Sequence, residues 1–215
     1  MRIAYFVTPH GFGHAARAAA VMVALQEIDP AIQFDIFTQV PHWFFQDSLV
    51  RDVHYYHVCT DIGVVQTTSL HEDLPATVRR LDSFFPCDGA LVTTLAALLR
   101  SAACTLVLCD IAPLGLVAAR AAGVPAVLIE NFTWDWIYQG YVQEEAGLTR
   151  HITYLQRIFA TADNHVQMEP VCCPGPAALT ARAAAIGSEQ EMLREKFDSE
   201  APDNEGDTVN SVSPR

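Results

Sequence analysis

The residues best suited to chemistry lie in Thr8-Pro9-His10-Gly11-Phe12-Gly13-His14-Ala15-Ala16-Arg17, directly after the apolar run 3–7. His10 and His14 carry the one side chain that ordinarily gains and loses a proton near neutral pH, so both are candidate acid–base or substrate-binding groups. Gly11 and Gly13 can take backbone conformations closed to other residues and let a ligand approach the main chain. A helix starting near His14 would aim unpaired N–H groups and a positive dipole end at that ligand. The plain alternative is a glycine turn in which His14 opens a helix. A second candidate, Asp110, ends the run Leu106-Val107-Leu108-Cys109. Its carboxylate could accept a hydrogen bond from an imidazole and support the charge acquired by a base, or it could cap the helix that begins near Pro113. A third group is Glu130-Asn131-Phe132-Thr133-Trp134-Asp135-Trp136. It mixes aromatic faces with amide, hydroxyl and carboxylate groups, a mixture suited to sugars, which makes Asn131, Thr133, Trp134 and Asp135 candidate substrate contacts. The same residues could equally form a core-anchoring aromatic cluster with a helix cap at Thr133 or Asp135.

These groups need a scaffold that brings them together. β-Branched apolar runs alternate with Ala- and Leu-rich stretches of helical length, which predicts an α/β fold with a doubly wound parallel sheet. Strands are expected at 3–7, 34–38, 53–58, 106–109 and 126–129, with a sixth near 165–168. Helices are expected at 14–27, 41–49, 74–85, 89–101, 114–122 and 148–162, and Gly123-Val124-Pro125 stops one helix and launches the next strand. Parallel strands place the loops after Val7, Thr38, Val58, Cys109 and Ile129 on one rim, where a ligand site belongs.

Composition excludes several functions. The 215-residue chain is 51% hydrophobic with a formal net charge of −12 and a single lysine, Lys196, so a nucleic-acid footprint is not expected. No signal peptide or long apolar span is read, and the irregular spacing of the six cysteines suggests reduced thiols in a cytoplasmic protein. The adjacent pair Cys172-Cys173 lacks the spacing of a metal or redox motif, and His42, His54, His57 and His71 form no metal-ligand pattern, so no metal is expected. Gly11-x-Gly13-x-x-Ala16 formally matches a dinucleotide fingerprint. The acidic residue that should follow the second strand is missing, because Asp35 lies inside that strand, and the Gly-Lys-Ser/Thr of a P-loop is missing too. The expected organisation is one α/β domain over residues 1–176 and an acidic, disordered tail over 177–215, although 181–197 could form a short helix. A tail foreign to the fold would be explained by a truncated reading frame.

With these residues placed, the chain resembles the N-terminal, Rossmann-like half of GT-B glycosyltransferases, in particular bacterial glycosyltransferase-like proteins and the N-terminal domain of plant L-arabinokinases. The motifs carrying the likeness are Val7 through Arg17, Asp61-Ile62-Gly63-Val64-Val65-Gln66, Cys109-Asp110-Ile111-Ala112-Pro113 and Asn131-Phe132-Thr133-Trp134-Asp135-Trp136-Ile137-Tyr138. The resemblance implies transfer of a sugar from a nucleotide-sugar donor to a small-molecule or glycan acceptor hydroxyl. By position it maps the catalytic base onto His14 and its carboxylate partner onto Asp110. It implies no cofactor beyond the nucleotide sugar as substrate, and a second, donor-binding C-terminal domain for which too few residues follow Pro176. A non-catalytic sugar or nucleotide-sugar binding or regulatory domain is the alternative, and a dinucleotide oxidoreductase a distant third.

Overall fold

The computed structural model describes residues 1–49 and 53–172. The expected boundary at 176, the tail 177–215, its short helix and Cys173 lie outside the described residues. The elements run β1 (Arg2–Val7), α1 (Phe12–Ile28), β2 (Gln33–Thr38), α2 (His42–Ser48), β3 (His54–His57), β4 (Gln66–Thr68), β5 (His71–Glu72), α3 (Leu74–Phe84), α4 (Gly89–Ser101), β6 (Leu106–Asp110), α5 (Pro113–Ala122), β7 (Ala126–Glu130), α6 (Trp134–Gln139), α7 (Leu148–Phe159) and β8 (Asn164–Gln167). Six strands form one sheet in the order β3-β2-β1-β6-β7-β8, and every pair in it is parallel. This is the doubly wound α/β fold expected from the alternation of strand and helix patterns.

Alternate residues of β1 divide between two cores, as a strand buried on both faces requires. Ile3, Tyr5 and Val7 join Phe34, Ile36, Leu108 and Ile129 under Ala15, Ala18, Ala19 and Met22 of α1. Ala4 and Phe6 face the other way, with Val107, Cys109 and Leu128, toward residues of α3, α4, α5 and α7. On that second face Phe6, Phe37 and Tyr56 stack across three strands at centroid distances of 4.3 and 4.6 Å, following the register Phe6↔Phe37 and Phe37↔Tyr56. The alanines of α1 allow close helix–sheet approach, which fixes the height at which its first turn stands above the rim.

Strand order reverses between β1 and β6. The connection from β1 runs outward to β2 on one side, and that from β6 runs to β7 on the other, leaving the crevice in which doubly wound folds bind ligands. The register Val7↔Asp110 sets the ends of both strands side by side there. The antiparallel β4–β5 hairpin was not expected, and the six-residue helix α6 was expected only in the alternative reading of a helix cap at Thr133 or Asp135.

Candidate active site

The glycine turn begins at Thr8, whose N–H donates to the Asp110 carbonyl at 3.2 Å and whose hydroxyl accepts from the His10 N–H at 3.3 Å. Gly11 has φ 89° and precedes α1, so the chain turns through a conformation that favours glycine. The helix starts at Phe12, two residues earlier than expected, and has no side-chain N-cap bond. Gly13 lies in its first turn, and a Cβ added there would meet no atom within 4 Å. Gly13 therefore leaves open space at a helix start, whereas Gly11 is needed by the backbone.

From that first turn His14 reaches Asp110. Its Nδ1 stands 2.7 Å from Asp110 Oδ1, and its ring meets Phe132 edge-on at 5.6 Å. Asp110 is fully buried. The cap of α5 is Ala112, with no side-chain cap bond, so Asp110 serves the imidazole and does not cap that helix. Arg17, one turn along α1, clamps the same carboxylate: Nε donates to Oδ2 at 2.7 Å and Nη2 to Oδ1 at 2.5 Å. Its Nη1 donates to Asn131 Oδ1 at 2.9 Å, which ties the ends of β6 and β7 to α1. Burial works against the guanidinium charge, but the bond to Asp110 and its charge more than offset this, so Arg17 holds its proton more tightly than a free arginine.

His10 occupies a different environment. A Cβ on Gly63, itself at φ 62°, would lie 2.4 Å from His10 Nδ1, so the imidazole packs against the bare glycine backbone. The Trp134 ring meets it edge-on at 5.0 Å, and the Tyr138 hydroxyl donates to the Gly63 carbonyl at 2.9 Å. Burial, then the nearby His14 and Arg80, lower the His10 pKa, so it is a neutral packing group at pH 7. Asp61, from the loop after β3, is 2% exposed, with neither oxygen in a well-formed hydrogen bond among the described residues. Burial pushes its carboxyl up to about 7, against the pull of the nearby Thr8, Trp134 and Thr60 groups and with a contribution from the Asp110 charge.

The third candidate group divides. Asn131 is engaged by Arg17. Thr133 precedes α6 without a side-chain cap bond, and Asp135 in its first turn keeps Oδ1 unpartnered among the described residues. Trp134 is 3% exposed and packs on His10, Phe132 and Tyr138, so its ring anchors the rim and offers no open face. Among the described residues the exposed aromatics are Phe12, Trp43 and Trp136. Sequence reasoning assigned no role to Arg17 or Asp61. For Arg17 a signal existed, since His14 and Arg17 are three residues apart on one helix and therefore neighbours on its surface. For Asp61 the signal was its place in the Asp61-Ile62-Gly63-Val64-Val65-Gln66 motif on the loop after Val58, but nothing in that motif announces that the carboxylate is buried. Asp35 is fully buried inside β2, as the reading against a dinucleotide site required, and no cluster of metal-ligating side chains occurs among the described residues.

Fold and site together define a Rossmann-like α/β domain with a His–Asp–Arg cluster at its topological switch point. The chain is similar to L-arabinokinase of Arabidopsis thaliana, with 29% identity over 181 residues that cover 81% of this chain and 17% of that protein. Among solved structures it is similar to MurG of Acinetobacter baumannii, with 16% identity and a TM-score of 0.48 over 82% of this chain and 44% of that one. It is also similar to a Streptomyces glycosyltransferase, with 14% identity and a TM-score of 0.48 over 83% and 53% of the two chains. A UGT transferase of Siraitia grosvenorii, solved with UDP, shows 11% identity and a TM-score of 0.47 over 77% and 44%. The sequence likeness is to the arabinokinase, and the solved chains named beside it are glycosyltransferases. This chain spans about a sixth of the arabinokinase and about half of each solved chain. No protein-family model matches it. No single helix among the described residues is long and apolar enough to cross a membrane.

Proposed function

We propose that this domain is the acceptor-side half of a glycosyl-transfer site, in which an acceptor hydroxyl attacks the anomeric carbon of a nucleotide-activated sugar. The observation that carries this reading is the His14–Asp110 contact of 2.7 Å at the crevice between β1 and β6, beside the open face of Gly13. A carboxylate on Nδ1 leaves Nε2 as the atom that takes the acceptor proton as the new bond forms. The nucleotide diphosphate leaves with the electron pair of the broken bond. Gly11 and Gly13 admit the donor diphosphate or the acceptor near the start of α1, and Asn131, Thr133 and Asp135 supply polar groups to the sugar. Trp134 and His10 hold the loops that shape the pocket. The scheme requires no metal, and the remaining donor contacts come from a second domain.

The test is transfer or hydrolysis of a nucleotide sugar by the chain joined to a donor-binding domain, for wild type and His14→Ala. Turnover that depends on His14 supports the reading, and equal turnover in folded proteins rejects it. A second reading, a sugar or nucleotide-sugar binding domain without turnover, is favoured by one observation: the curated relative carries the name of a kinase and matches this chain over only 17% of its length. Calorimetry with the chain alone separates the two. Half a cleft should bind a nucleotide sugar weakly, whereas micromolar or tighter affinity supports the binding domain.

A further inference from the structure

We propose that Arg17 is a positioning residue that holds Asp110 against His14 and, by balancing the Asp110 charge, keeps the imidazole neutral with Nε2 free to accept a proton. The inference rests on the reading of His14 as the base, and adds what makes that base usable.

Asp110 Oδ1 receives both His14 Nδ1 at 2.7 Å and Arg17 Nη2 at 2.5 Å, and Oδ2 receives Arg17 Nε at 2.7 Å. An unprotonated Nδ1 would set its lone pair against a carboxylate oxygen, so the contact requires Nδ1–H as donor. Arg17 Nη2 lies 3.0 Å from the same Nδ1, but a guanidinium nitrogen only donates, so this approach is a meeting of two donors held together by the shared oxygen. The neutral imidazole in this corner therefore presents an unprotonated Nε2.

Charge completes the argument. A buried carboxylate facing a histidine alone favours the imidazolium, which raises the pH above which the ring can act as a base. Here the guanidinium is bidentate on that carboxylate, with side chains only 16% and 0% exposed, so solvent does little to screen the pair. Its positive charge also stands beside the ring. The other groups facing the corner are His10 from the glycine turn, Tyr5 from β1, Glu130 from the end of β7 and Asp61 from the loop after β3. His10 bears on His14, Tyr5 and Asp61 on Asp110, and Glu130 on Arg17. Among the described residues, the side chains that hydrogen-bond the Asp110 carboxylate are His14 and Arg17. The bond from Arg17 to Asn131 adds a geometric role, since it stops the guanidinium from rotating away from Asp110.

The experiment is a histidine-detected NMR titration of the full chain, with no donor domain or turnover required. In wild type at neutral pH the nitrogen shifts of His14 should show the Nδ1–H form with Nε2 unprotonated. In Arg17→Gln the midpoint of the His14 titration should move up by about 1 to 2 pH units, the usual effect of an uncompensated carboxylate. Arg17→Lys, which keeps the charge, should return it most of the way to the wild-type value. An equal midpoint in wild type and folded Arg17→Gln overturns the proposal. Should Arg17→Gln not fold, an Nε2–H tautomer in wild type overturns it independently. A shifted midpoint together with full turnover in His14→Ala would refute the base reading and leave the Arg17 electrostatics standing, so the two failures are distinguishable.

Discussion

Two places among the described residues combine a buried aspartate, a histidine joined through Nδ1 and an arginine. At the rim, Asp110 meets His14 at 2.7 Å and Arg17 at 2.5 Å; within the sheet, Asp35 meets His54 at 2.9 Å and Arg2 at 3.7 Å. The residue types are identical and the consequences differ. Asp110 is the last residue of its strand, beside a glycine turn, and its histidine comes from a helix with a side chain 11% exposed. Asp35 sits inside β2 between Ala4 and His54 of the flanking strands, and the His54 side chain is 60% exposed. Solvent screens the second cluster, which only satisfies a buried carboxylate, while the first is shielded from bulk water and opens toward a crevice. Position along the strand, more than residue type, separates a chemical site from a structural one.

The largest expected contrast is in turnover. With a donor-binding domain present, His14→Ala should lower the rate by roughly 100- to 10,000-fold, the usual range for loss of a general base, and His54→Ala should leave it unchanged. Similar losses in the two variants would erase the distinction between the clusters. Stability should follow the same order. Arg17→Ala takes the bidentate partner from the buried Asp110 carboxylate and leaves it the His14 contact, so it should cost about 3 kcal/mol in urea denaturation. Arg2, at 3.7 Å with a side chain 24% exposed, should cost less than about 1 kcal/mol when replaced by alanine. A larger cost at Arg2 than at Arg17 would reverse the assignment.

Asp61 sharpens the comparison as a buried carboxylate with neither a histidine nor an arginine bonded to it. Its pKa is raised to about 7 in the folded chain, so between about pH 4 and 7 the native state keeps a proton that the unfolded state has lost. Its contribution to stability is therefore fully present below about pH 4 and is lost as pH rises to 7, a change of up to roughly 4 kcal/mol. Asp61→Asn should flatten that part of the stability–pH curve and stabilise the chain at pH 8, as measured by denaturation across the range. A curve with the same slope in both proteins would show that Asp61 is ionised throughout. The smallest effect concerns Gly13. Because a Cβ there meets nothing, Gly13→Ala should stabilise α1 by about 0.5–1 kcal/mol while weakening nucleotide-sugar or acceptor binding. Unchanged affinity would remove Gly13 from the site.

Much of the scaffold was legible because long apolar runs have one outcome in a parallel sheet. All six strands of the main sheet lie within a residue or two of their expected limits, and the turn at Gly11 has the left-handed φ that its residue type suggested. The β4–β5 hairpin escaped notice because its strands are exposed, polar and only three and two residues long, so no alternation marks them. Helix α6 was signalled only by its candidate cap, because six residues are too few to show a helical period. Trp134 and Trp136 look alike in the sequence, yet one is 3% and the other 41% exposed, a difference set by which of them faces His10 and Tyr138.

The sequence by itself determined the α/β class, the glycine turn after β1, and the placing of His14 and Asp110 on one rim, since each follows from local pattern and from the common direction of parallel strands. Tertiary structure alone decided that these residues, 96 positions apart, meet at 2.7 Å. That contact depends on β6 pairing with β1 in the register Val7↔Asp110, and on the alanines that let α1 sit close over the sheet. Tertiary structure also decided that Arg17 shares the carboxylate and that Asp61 is sealed from water. Burial and partnership of charged groups are properties of the packed whole, and no local pattern carries them.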